Sequence, residues 1–212
     1  YHGPRGIKQI ALHGFNLAHN LGQLLQAKGF KLKNSMYFDT ISLLVNPSEM
    51  NGIFQRAETK GVNLRKINES ELSVAFDECK TENDVLDLYQ IITGENTQAP
   101  LKSFEEDILG SSKRTSSFLT HEVFNRYHSE TEMLRYIFKL QNRDLSLAHS
   151  MIALGSCTMK LNATAEMIPV TWPEVSQIHP FAPQAQTQGY AELTKSLESW
   201  LSEITGFDST SL

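Results

Sequence analysis

A chain of 212 residues, 40% hydrophobic and 20% charged, is long enough to bury a sizeable core and has an ordinary globular composition, which excludes a disordered or fibrous protein. Its formal net charge of -5 leaves no basic footprint, so nucleic acid is excluded as the main partner. Its two cysteines, Cys79 and Cys157, make neither a disulfide framework nor the clustered spacing of a metal site, and no apolar run approaches membrane-spanning length. The first residues lack the charged and apolar regions of a signal peptide, and there is no starting methionine. A soluble piece of an intracellular protein in a reducing compartment is the expectation.

In chain order, Gly3-Pro4 followed by Ile7, Ile10, Ala11, Leu17, Leu21, Leu24 and Leu25 predicts a long amphipathic helix stopped at Gly29. The opening proline lacks only an amide hydrogen that the first turn leaves unpaired. Tyr37 to Val45, rich in aromatic and β-branched residues, predicts a strand. Asn46-Pro47-Ser48-Glu49 then opens a helix with Asn46 as cap and Glu49 reaching back to it, ended by Gly61. Val62 to Ile67 and Leu72 to Phe76 read as a hairpin through Asn68-Glu69-Ser70-Glu71, and Thr81-Glu82-Asn83-Asp84 caps a helix closed by Gly94. The order describes a small α+β sandwich with helices on one face of an antiparallel-rich sheet. His13, His19 and Cys79 are expected to be surface or satisfied side chains, since nothing at metal spacing accompanies them.

From Glu95 to Ser117 periodicity fades, apart from a helical turn around Leu101 to Leu109, and the polar run Gly110 to Ser117 is expected to be a linker. Ser129-Glu130-Thr131-Glu132 is a capping box leading a helix with Met133, Leu134, Ile137 and Leu140. Pro169, Pro173, Pro180 and Pro183 break the later chain into short pieces, with Trp172 and Phe181 as expected packing anchors. Gln186 to Thr205 is helical through Tyr190, Leu193, Leu197, Trp200, Leu201 and Ile204, ended by Gly206. This second region has helices without the sheet they should cover.

Chemistry concentrates at Met151-Ile152-Ala153-Leu154-Gly155-Ser156-Cys157-Thr158-Met159-Lys160-Leu161-Asn162. A glycine lets backbone approach a ligand, and Ser156, Cys157, Thr158 and Lys160 can donate hydrogen bonds to an anion. The candidate binding set is Ser156, Cys157, Thr158, Lys160 and Asn162, with His149 nearby. It suits anion binding better than covalent catalysis, because no histidine partner for Cys157 is fixed by sequence. On chemistry alone, a polar turn after a buried strand accounts for the run equally well.

The run IALGSCTMKLNATAEMIPVTWPEVSQIHPF, preceded by RTSSFLTHEVFNRYHSETEMLRYIFKLQNRDLSLAHSMI, closely resembles the glycine decarboxylase (P-protein) family of the glycine cleavage system. The resemblance extends from YHGPRGIKQIA at Tyr1 to GFDSTSL at the other end, and corresponds to the middle of a longer protein; Ala153 stands where the family pattern has proline. It implies an α/β fold of the pyridoxal-phosphate-dependent aminotransferase type (fold type I), here partial. Residues 1–109 would be the small α+β domain closing a first aminotransferase-like half, 110–118 a linker, and 119–212 the mainly helical start of a second half.

It also implies an oxidoreductase that decarboxylates glycine with pyridoxal 5'-phosphate and passes the aminomethyl group to the lipoyl arm of the H-protein. The GSCTMK loop, Gly155 to Lys160, would lie beside the substrate. The cofactor's phosphate loop and Schiff-base lysine are expected beyond Leu212, so no catalytic residue is assigned in these residues and the piece alone is expected to be inactive. A homodimer or a heterotetramer of split subunits, in the bacterial cytoplasm or the mitochondrial matrix, completes the expectation. The alternatives are a non-catalytic protein binding a small anion and a subunit-interface piece.

Overall fold

The structure, a computed structural model, describes residues 1–104, 106–143, 149 and 163–212. The chain divides into two compact units, Tyr1–Ser146 and Leu147–Leu212.

The first unit opens with α1 (Gly3–Ala27), close to its predicted span. Only part of its apolar stripe is buried. Phe15, Leu17, Ala18, Leu21 and Leu25 are inside, whereas Ile7 and Ile10 are exposed. The reason is that the helix outruns the sheet it covers, and its first turn lies instead against a 3-10 turn at Glu122–Asn125. Near its other end α1 is pressed against residue 37: a Cβ at Gly22 would collide with the Tyr37 hydroxyl, so a larger residue there would have to displace that ring.

Four strands form one antiparallel sheet in the order β1-β2-β4-β3. They are β1 (Lys31–Leu32), β2 (Thr40–Leu44), β3 (Arg65–Asn68) and β4 (Glu71–Ala75). At two residues, β1 is too short for an alternating pattern to reveal it. Strand β2 is shorter than the span predicted for it, and the β3–β4 turn narrows to Glu69 and Ser70 because Asn68 and Glu71 are themselves paired. Asn68 Oδ1 accepts from the Ser70 amide at 2.9 Å, holding that turn.

Register fixes which side is the core. Ile41 lies opposite Val74 and Leu43 opposite Leu72, so the four share one face. Onto it pack α1, α2 (Pro47–Thr59) and α3 (Glu82–Thr93), through Leu21, Leu25, Met50, Ile53, Val85, Ile91 and Ile92. Each large apolar side chain buried there contributes about 1.5–3 kcal/mol. The opposite face is polar: the Ser73 hydroxyl donates to the Ile41 carbonyl, and Lys33 Nζ donates to both oxygens of Glu71 at 3.0 and 2.9 Å.

The helix ends follow their caps. Asn46 Oδ1 accepts from the Ser48 amide and hydroxyl, so Ser48 rather than Glu49 makes the second bond at the start of α2. Thr81 and Asp84 form the capping box of α3, and Gly94 stops that helix in the left-handed conformation. Arg56 on α2 donates to the carbonyls of Ile91 and Ile92 at 2.6 and 3.0 Å, satisfying the end of α3. Beyond α3 come a 3-10 segment, Glu106–Ser112, kinked at Gly110, and α4 (Glu130–Gln141), capped by Ser129.

In the second unit Pro173 opens α5 (Pro173–Ser176) and Pro183 precedes a 3-10 turn at Gln184–Gln186, whereas Pro169, expected to break the chain, sits inside a 3-10 helix at Thr164–Thr171; α6 (Gln188–Thr205) then ends at Gly206. No described residue of this unit is buried. Trp172 and Phe181 are 52% and 90% exposed, which corrects their expected role as packing anchors. No sheet is described in the unit to receive them.

Candidate functional site

Of the predicted site, Ser156, Cys157, Thr158, Lys160 and Asn162 lie outside the described residues, as does Ala153. His149 is described and sits exposed in a turn. Among the described residues the structure therefore brings no part of that set together.

In the first unit His13, His19 and His121 have backbone partners. His13 Nε2 bonds the Lys80 carbonyl at 2.7 Å, and His121 Nδ1 accepts from the Val123 amide. His19 Nδ1 donates to the Phe15 carbonyl at 2.9 Å while its ring stacks on Tyr37, with centroids 4.3 Å apart. Burial lowers the pKa of His19, partly offset by its bond to Phe15, and burial raises that of the Tyr37 hydroxyl. His13 and His19 are thus satisfied side chains, as the sequence predicts, His13 at the surface and His19 partly buried. Cys79 is exposed, and among the described residues no group of three or more His, Cys, Asp or Glu side chains could hold a metal.

His128 is placed less ordinarily. Its Nδ1 donates to the Tyr1 carbonyl at 2.6 Å, and a Cβ at the buried Gly3, where φ is +65°, would lie 3.0 Å from its ring. Together with Tyr1, His2, Arg5 and Asn125 it lines an open cavity of about 410 Å³ at the start of α1. A second open cavity, about 440 Å³, lies between α1, residues 36–38 and residues 109–114. Its described walls are mainly apolar (Ala11, Leu12, Met36, Phe38 and Leu109), with Tyr37, Ser112, Lys8 and Arg114 among the lining residues. The Arg114 side chain is already engaged, donating to the Ser116 carbonyl and lying over the Phe118 ring at 5.0 Å.

Asn16 and Asn20 are the polar residues that periodicity passes over. They lie four apart on α1 among buried apolar neighbours, and that placement was the available signal.

Residues 1–92 match the family described as "Glycine cleavage system P-protein". Those residues belong to the P-protein family. The likeness runs through the rest of the chain. It is 46% identical over 220 residues to a glycine dehydrogenase (decarboxylating) of Idiomarina loihiensis, covering 100% of this chain and 23% of the relative. Likewise it is 48% identical over 222 residues to that of a Nostoc species and 47% identical over 214 residues to that of Deinococcus radiodurans, in each case over 100% of this chain and 22% of the relative. The chain thus spans less than a quarter of the length of the relatives it matches. No described helix is long and apolar enough to cross a membrane.

Proposed function

We propose that the chain is a segment of a P-protein that decarboxylates glycine with pyridoxal phosphate and transfers the aminomethyl group to the lipoyl arm of the H-protein. The observation that carries this is identity of 46–48% over the whole chain to relatives named glycine dehydrogenase (decarboxylating). We extend the proposal to an aminotransferase-like fold of type I, with residues 1–109 ending a first half, 110–118 as linker and 119–212 opening a second. The same reading takes the enzyme as a homodimer or a heterotetramer of split subunits, in the bacterial cytoplasm or the mitochondrial matrix.

When bound, pyridoxal phosphate supplies the electron sink for loss of carbon dioxide. The described residues do not fit a role in holding it. Lys28, Lys33, Lys60 and Lys66 are tied to Glu95, Glu71, Asp87 and Glu69 at the surface, and neither cavity sets a lysine beside a histidine. On this reading the groups that would hold the cofactor lie outside the described residues, and the 212 residues alone would be inactive.

The test is release of labelled carbon dioxide from carboxyl-labelled glycine by the complete protein. The reading requires dependence on both pyridoxal phosphate and lipoylated H-protein, and release without either would overturn it. The substrate-side role proposed for Ser156, Cys157, Thr158, Lys160, Asn162 and His149 is tested separately. Lys160→Ala should lower the rate by about 100-fold or more, and an unchanged rate removes Lys160 from the site while leaving the function standing.

A further inference from the structure

Two carboxamides one turn apart on α1 grip a passing stretch of chain. Asn20, 6% exposed, accepts from the Lys102 amide through Oδ1 at 2.7 Å and donates from Nδ2 to the Lys102 carbonyl at 2.8 Å. It thereby pairs both backbone groups of one residue, as a neighbouring strand would. Its Nδ2 also donates to the Asn16 carbonyl, and Asn16 in turn accepts from the Phe104 amide at 2.5 Å while donating to the Leu12 carbonyl.

The spacing explains the fit. Four residues of helix rise about 6.0 Å, and two residues of extended chain advance about 6.6 Å, so side chains at i and i+4 on a helix meet alternate residues of a strand laid along it. Leu101 packs on the core beside this pair, and the Phe104 ring lies 5.7 Å from that of His19. No buried side-chain polar atom among the described residues lacks a partner, so release of the segment would leave the Asn20 carboxamide unpaired in a buried position.

We propose that Asn16 and Asn20 are a clamp that fastens Leu101–Phe104 to α1 in a single register, and so fixes the path by which the chain leaves the sheet toward Leu109, Ser112 and Arg114, one wall of the 440 Å³ cavity. Since the clamp bonds reach only backbone, they set register without reading the sequence of the strap. The inference stands apart from the glycine-cleavage reading.

Amide hydrogen exchange on the 212-residue chain, read residue by residue by NMR, tests it. Lys102 and Phe104 should exchange on the order of tenfold or more slowly for each bond held, whereas Ser103 between them, whose amide meets no clamp atom, should exchange fast. Asn16→Leu with Asn20→Leu should bring 102 and 104 to the rate of 103 while Leu43 and Leu72 in the sheet keep their protection. Free exchange at 102 and 104 in the unaltered chain, or protection that survives the double substitution, overturns the clamp. Should the double variant fail to fold, Lys102→Pro removes one donor from the strap and leaves α1 untouched. It should speed tryptic cleavage after Lys113 and Arg114 several-fold, and unchanged cleavage overturns the proposal.

Discussion

Helices α1 and α6 carry the same kind of pattern and meet different fates. In α1, Leu17, Leu21 and Leu25 are 3%, 0% and 0% exposed; in α6, Leu193, Leu197, Trp200 and Ile204 are 63%, 39%, 60% and 80% exposed. Both were legible as helices because periodicity depends on an apolar stripe and a stop signal, which each has. Periodicity does not say what the stripe meets. For α1 the answer is the sheet of its own unit. For α6 no described residue of its unit supplies an answer. The chain covers only 22–23% of the glycine dehydrogenase (decarboxylating) relatives, so the stripe of α6 is seen here without most of the sequence those relatives have.

The largest expected effect sharpens that contrast. Leu43→Ala empties a fully buried position on the sheet and should cost the first unit about 2–5 kcal/mol, read as a lowered urea midpoint. In the same chain, Leu193→Ala should stay within about 0.5 kcal/mol. Repeating Leu193→Ala in the complete protein can break the comparison: a cost near that of Leu43→Ala means that α6 gains an interior there, while a negligible cost means that its face stays open. Next in size is Arg56→Met. The guanidinium satisfies two carbonyls at the end of α3, so its loss should cost about 1.5–3 kcal/mol, and a midpoint unmoved by the substitution would show those carbonyls to be content with water.

How much was legible follows from what each signal encodes. The spans of α1, α2, α3, α4 and α6 were, because glycines and capping residues punctuate them: Asn46, Thr81 with Asp84, Ser129, and the left-handed Gly94 and Gly206. The hairpin was legible, although its turn proved shorter. Strand β1 was not, being two residues that pair only because β2 is already in place. Trp172 and Phe181 misled because an aromatic side chain predicts burial only where a second layer exists. The clamp of Asn16 and Asn20 escaped because its partners lie 82 and 88 residues away, beyond any local pattern. The run at Ser156 to Asn162 was read from chemistry and resemblance, and it lies outside the described residues.

A smaller effect tests the caps that made the helices legible. Thr81→Ala removes the hydroxyl that bonds Asp84 at 2.8 Å and should cost about 1 kcal/mol. The loss should appear as reduced stability of α3 and the sheet it covers, while the helicity of α6 stays unchanged. A change in α6 would contradict the separation of the two units.

The smallest effect depends on pH and again separates the units. His19, half-buried against Phe15 and Tyr37, has its pKa lowered by burial, so the folded first unit prefers the neutral ring. Its unfolded value is about 6.5. Above that pH the ring is neutral in both states and the preference is fully present. As pH falls below about 6.5 the unfolded chain takes up a proton that the folded one resists, and stability declines until the pH has passed the lowered folded value. Urea midpoints of the first unit measured between about pH 7.5 and 5 should therefore fall on the acid side, and His19→Gln should flatten that part of the slope. Because the ring is only half-buried, this slope should be shallower than the effect of losing the cap at Thr81. The same slope in the His19→Gln chain would trace the acid sensitivity to other groups, and would leave the stacking of His19 on Tyr37 a matter of packing alone.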